Sequence, residues 1–220
     1  MKKTMTWRRN DMKKDKGNDN GIEKLRQGNK RYLMRANAKN FARRREETKD
    51  KQQPYAIIVT CSDSRVVPEY IFDANLGDIF VVRTAGNVID KIALGSIEYA
   101  VEHLGASLIV VMGHEKCGAI KSAWEIFGSE RGHTNNEHDS NITYILKKVK
   151  KAVNKAKKEN RDIANAIIKN IEIQIETIVK KSALCANLVK QNKLKIIGMK
   201  YSIKSGLVEV FKYSNRTLKN

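Results

Sequence analysis

Nowhere in the 220 residues do about 18 apolar side chains run together, the length a bilayer-spanning helix needs. The basic opening MKKTMTWRRNDMKKDKGNDNG has no apolar stretch behind it, so it does not read as a secretory signal. Both absences predict a cytoplasmic protein with no membrane span. Cysteine is scarce: Cys61, Cys117 and Cys185 are too few, and odd in number, for a secreted disulfide framework. That leaves ligand or catalytic duty for some of them. A hydrophobic content of 41% lets a chain of this length bury a full core, which excludes disorder throughout.

Acidic residues are also short, 24 against 43 Lys and Arg, leaving a formal charge of +19. Such an excess invites a nucleic-acid reading, but a binder of that kind pairs charge with aromatic stacking platforms or a recognition helix. Aromatics make up only 6% of the chain, and none interrupts the run KKVKKAVNKAKK, Lys147–Lys158. The run reads as a solvated helix face, and no specific nucleic-acid partner is predicted. The surplus is also unevenly spread: residues 1–51 sum to +11, 147–158 to +7 and 159–220 to +7, while 52–146 sum to −6.

Three short apolar runs rich in β-branched residues, Tyr55–Thr60 (YAIIVT), Ile79–Val82 (IFVV) and Leu108–Met112 (LIVVM), predict strands buried on both faces, as in a parallel sheet. Between the second and third lies Leu94–Gly105, where Leu94, Ile97, Ala100, Val101 and Leu104 form one helical stripe and Gly105 falls at a C-cap, giving a β-α-β crossover. Ile22, Leu25, Tyr32 and Leu33 predict an amphipathic arm helix within Gly21–Arg35. Ile167, Ile168, Ile171, Ile175 and Ile178 predict a long helix over Asp162–Lys181. Leu194–Met199 and Leu207–Phe211 read as a last strand pair turning at Gly206. The expected architecture is α/β: a mostly parallel sheet with an antiparallel edge strand, flanked by helices, with an N-terminal helical arm. Residues 1–20 are expected to be a basic flexible segment and 21–220 a single domain.

The chemistry concentrates behind two of the strands. Cys61 follows YAIIVT, and His114 and Cys117 follow LIVVM in the block GHEKCG, so all three fall at carboxyl ends of parallel strands, the edge where such sheets build sites. Two thiolates and an imidazole are a soft set suited to Zn²⁺, and three protein ligands leave a position open for water or substrate. Asp63 and Arg65 follow Cys61 by two and four residues. A carboxylate there can ligate the metal or accept a hydrogen bond from a hydroxide on it, and a neighbouring guanidinium can clamp it away from the metal. Cys185 has no ligand spacing to any partner and reads as a helix-face thiol.

The blocks CSDSRVVPE (Cys61–Glu69), FVVRTAGN (Phe80–Asn87), SIEYAVEHLG (Ser96–Gly105) and VMGHEKCGAI (Val111–Ile120) resemble the signature blocks of the β-class carbonic anhydrases. The likeness runs from about Gly21, through GNKRY, to the terminal YSIKSGLVEV. It implies one zinc per subunit held by Cys61, His114 and Cys117, a catalytic dyad of Asp63 and Arg65, and hydration of CO₂ to bicarbonate by a zinc-bound hydroxide. Relatives that hydrolyse carbon disulfide or carbonyl sulfide at the same kind of site are the alternative. The resemblance also implies a pocket at a subunit interface, mapping onto Gln52, Phe80, Tyr99 and Gly118, and therefore a homodimer or a dimer of dimers whose N-terminal helices reach a neighbouring subunit. Gln53 competes with Gln52 for its place. His103, four residues after Tyr99, reads equally as a proton relay or as helix packing, while His133 and His138 fall in a polar loop. Ala85 stands where some members carry Val. One subtype is switched off by bicarbonate beside a Trp three residues before the first zinc cysteine; here that position is Ile58, so this regulation is expected to be absent.

Overall fold

The computed structural model describes residues 19–34, 41–128 and 140–211. The expectations for residues 1–18, His133 and His138 lie outside them. Five strands, β1 (Ala56–Cys61), β2 (Ile79–Thr84), β3 (Leu108–His114), β4 (Lys195–Tyr201) and β5 (Val208–Phe211), form one sheet in the order β2-β1-β3-β4-β5. The pairings from β2 to β4 are parallel and β5 is antiparallel to β4, as the sequence predicts. Every residue of β1 and β3 is buried, which is why both read as unbroken apolar runs.

Side chains alternate across the sheet. Ile57, Val59, Cys61, Ile109 and Val111 enter one core, while Ala56, Ile58, Leu108, Val110 and Met112 enter the other. The first core is closed by α4 (Lys91–Glu102), α5 (Gly118–Gly128), α6 (Asn141–Lys158), α7 (Ile163–Lys181) and α8 (Ala183–Lys190). Helix α4 starts three residues earlier than its apolar stripe, because the Asp90 carboxylate caps it by accepting the Ala93 N–H at 2.9 Å. Gly105 lies beyond the helix with a φ of 69°, a conformation that suits glycine.

The second core is closed by α1 (Asp19–Leu33) and the short α3 (Pro68–Ile71), with α2 (Phe41–Thr48) between them in sequence. Helix α1 packs on its own chain, with Ile22 and Leu25 buried in this core. A Cβ on Gly28 would fall 1.6 Å from the Phe72 carbonyl oxygen, so only glycine permits this approach. The next residue, Asn29, donates to the carbonyls of Ile71 and Gly206, both at 3.0 Å. Gly206, with a φ of 73°, makes the expected turn between β4 and β5.

Helix α6 buries Leu146, Val149, Ala152, Val153 and Ala156 and exposes Lys147, Lys148, Lys150, Lys151 and Lys158. Lys150 and Lys157 lie over the Phe127 and Trp124 rings of α5, at 4.5 and 4.6 Å. The lysine-rich face is thus a solvated helix surface tied to its own chain. Among the described residues no helix is long and apolar enough to cross a membrane.

Candidate active site

Because β1 and β3 are adjacent and parallel, with Thr60 opposite Met112, their carboxyl ends lie side by side. Cys61 ends β1 and His114 ends β3. The chain then turns through Lys116, which takes a left-handed φ of 56°, and returns Cys117 to the start of α5. The ligand atoms of Cys61, His114 and Cys117 all lie within 4.8 Å of one another, and all three residues are buried.

His114 is fully buried. Its Nδ1 lies 2.9 Å from the Glu115 carbonyl oxygen, so Nδ1 carries the proton and Nε2 the lone pair. That Nε2 has no hydrogen-bond partner. A buried acceptor left unmade costs about 1–3 kcal/mol. Two sulfurs and an orphaned imidazole nitrogen at this separation fit a soft divalent metal such as zinc.

The thiols reinforce that fit. The two neighbouring thiols act on each other, lowering Cys61 and raising Cys117. The Gly86 N–H also donates to the Cys61 sulfur, at 3.3 Å. Backbone N–H groups of Ala119 and Ile120, at the start of α5, face the Cys117 sulfur and oppose its rise. A metal bound here would displace thiol protons from the pair.

Asp63 and Arg65 form the expected clamp. Arg65 Nε donates to Oδ1 at 2.9 Å and Nη2 to Oδ2 at 2.8 Å, while the Arg65 N–H reaches Oδ1 at 3.0 Å. The guanidinium holds the Asp63 carboxyl well below the usual carboxylate range. Asp63 Oδ2 stands 3.9 Å from His114 Nε2, beside the three donors. Sequence reasoning missed Arg83, whose Nη2 donates to the Asp63 carbonyl at 2.8 Å and whose Nε reaches the Cys61 carbonyl at 3.3 Å. A charged side chain near the end of an otherwise apolar strand was its only signal.

A family model described as carbonic anhydrase matches residues 56–208. The solved β-carbonic anhydrase of Coccomyxa, in complex with acetazolamide, superposes with a TM-score of 0.66 at 25% identity, covering 86% of either chain. The chain belongs to the β-class carbonic anhydrase family. A carbonic anhydrase of Mycolicibacterium smegmatis is 49% identical over 100 residues, which are 44% of this chain and 48% of that relative, so the match spans less than half of the relative's length. Structures described as tetrameric β-carbonic anhydrases of Sordaria macrospora share the fold, with a TM-score of 0.65 at 23% identity over 76% of this chain and 85% of theirs.

The pocket positions that the β-class carbonic anhydrase resemblance implies are not all gathered at this cluster. Phe80 and Tyr99 meet each other, with ring centroids 6.5 Å apart, and Tyr99 meets the His103 ring at 5.0 Å in a tilted arrangement. Phe80 precedes Thr84, the residue opposite Cys61, by four positions on β2. That places it about 13 Å along the strand from Cys61. An open cleft of about 300 Å³ runs between Phe80 and Thr84, bordered by Asp90, Ile92 and Ser96 of the adjoining segment. Gln52 is exposed ahead of β1. Gly118 follows Cys117 directly and has open space where a side chain would stand.

Proposed function

We propose that this chain is a zinc-dependent carbonic anhydrase that catalyses the reversible hydration of CO₂ to bicarbonate and a proton. The observation that carries this reading is the buried trio of Cys61, His114 and Cys117, with an unpaired His114 Nε2 and a clamped carboxylate beside it. Zinc held by these three side chains supplies Lewis acidity and lowers the pKa of water toward about 7.

The remaining work falls to the protein. Asp63, kept ionised by Arg65, accepts a hydrogen bond from the attacking oxygen and orients its lone pair toward CO₂. Arg65 holds both carboxylate oxygens, so Asp63 serves as an acceptor and not as a fourth ligand. Gly118 leaves room for the linear substrate beside Cys117. Phe80 and Tyr99 form an apolar wall that excludes competing water, and Gln52 offers an amide donor to bicarbonate.

Phe80 and Tyr99 do this in an assembly of at least two chains, in which their wall faces a neighbour's zinc site. The support is the place of β2 at the end of the sheet and, on α4, Ile92 and Tyr99, which are 79% and 50% exposed. Stopped-flow CO₂ hydration tests the reaction: the zinc-loaded chain should exceed the buffer rate and His114→Ala should return to it. A zinc-replete wild type at the buffer rate contradicts the proposal.

A further inference from the structure

Helix α7 carries two buried amides that the proposed reaction does not use. Asn170 and Gln174 are 1% and 3% exposed and share the inward face with Ile167, Ile171 and Ile178. Amides buried among isoleucines are costly unless their hydrogen bonds are made. Here they are made to one segment. Gln174 Oε1 accepts the Ile89 N–H at 2.9 Å, and Gln174 Nε2 donates to Asn170 Oδ1 at 3.1 Å. Asn170 Nδ2 donates to the Gly86 carbonyl at 2.8 Å and lies 3.3 Å from Asn87 Oδ1.

The ladder ends on the residue whose N–H donates to Cys61 Sγ, Gly86. The segment it grips resists its own conformation. Asn87, not a glycine, takes a left-handed φ of 47°, and its Nδ2 is buried without a partner. Gly86 is hemmed in as well, since a Cβ there would fall 3.1 Å from Ala119 and 3.3 Å from Val149. A strained turn persists where its surroundings over-determine it, and the two amides are the polar part of that constraint.

We infer that Asn170 and Gln174 are positioning residues for the Cys61 thiolate. Their ladder fixes the Gly86 N–H on the sulfur and so sets how strongly that sulfur donates to a metal. The inference rests on the zinc site proposed above. A hydrogen bond to a thiolate in a dry site is charge-assisted, stabilises the sulfur lone pairs and competes with protonation. Its loss makes the sulfur more basic and less well aimed.

Cobalt substitution reads this directly, through the thiolate-to-cobalt charge-transfer band, which a purely structural role of the amides would not move. Asn170→Leu keeps the approximate shape and removes both links, whereas Gln174→Met acts one link farther away and is the gentler change. Asn170→Leu should move the band to lower energy and weaken zinc binding about ten-fold in chelator competition. Gln174→Met should shift both in the same direction by less, and it decides the matter if Asn170→Leu does not fold. Folded variants with a wild-type band and wild-type zinc affinity overturn the ladder and leave the zinc site standing. A cobalt-treated wild type without a thiolate band overturns both.

Discussion

Arg65 holds both oxygens of Asp63, so in the proposed reaction the carboxylate serves as an acceptor and not as a ligand. Asp63→Asn keeps the shape but loses the charge, so zinc content should stay at wild type while CO₂ turnover drops by about 10–100-fold, measured by metal analysis beside stopped-flow hydration. The clamp also leaves an acid signature. Asp63 is depressed in the folded chain, so its stabilisation is complete above its ordinary value of about 4 and is lost as pH falls through the lower folded value. Arg65→Leu should flatten that acid limb, read as urea midpoints between about pH 6 and about pH 2. A limb as steep as wild type would contradict the pairing. At this scale the trio and the clamp were legible because soft donors and a short Cys-x-Asp-x-Arg turn carry their chemistry in the letters. Arg83, Asn170 and Gln174 were not, since each acts on a backbone atom far away in sequence.

At the scale of elements, each local hydrophobic pattern agreed with the final sheet. Strands β1 and β3 are buried on both faces, so composition alone revealed them, and the isoleucine register of α7 was equally plain. Periodicity picks out no helix at α3 or α8, because four and eight residues give too few turns; α8 restarts only because Ser182 caps it, accepting the Cys185 N–H at 3.1 Å. The same capping logic gives a test on α7, where Asp162 accepts the Asn165 N–H at 3.0 Å. Asp162→Ala should cost about 1 kcal/mol in denaturant unfolding. Gly28→Ala should cost about 1–3 kcal/mol or more by driving α1 off the Phe72 carbonyl, seen in the same experiment and in faster proteolysis near α1. The approach of α1 to Phe72 was invisible in the sequence, since nothing local distinguishes Gly28 from a weak helix residue.

For the whole molecule, the excess of positive charge is set apart from the chemistry. The segment 52–146, which holds the trio, the clamp and the pocket positions, sums to −6 within a chain of +19. Lysines on α6 lie over their own aromatic neighbours, so the charge serves solvation there. The apolar surface is where association is expected. Ile92→Lys places a charge on the most exposed large apolar side chain near the edge strand β2. It should lower the solution mass toward that of one chain and reduce CO₂ hydration together, measured by light scattering and stopped flow. Loss of neither would contradict the shared pocket. Zinc-dependent hydration is tested most directly by titrating zinc into metal-free protein while CO₂ hydration is followed. The rate should rise in proportion to added zinc and level off at one zinc per chain; a rate that ignores zinc, or a zinc-saturated chain at the buffer rate, would contradict it.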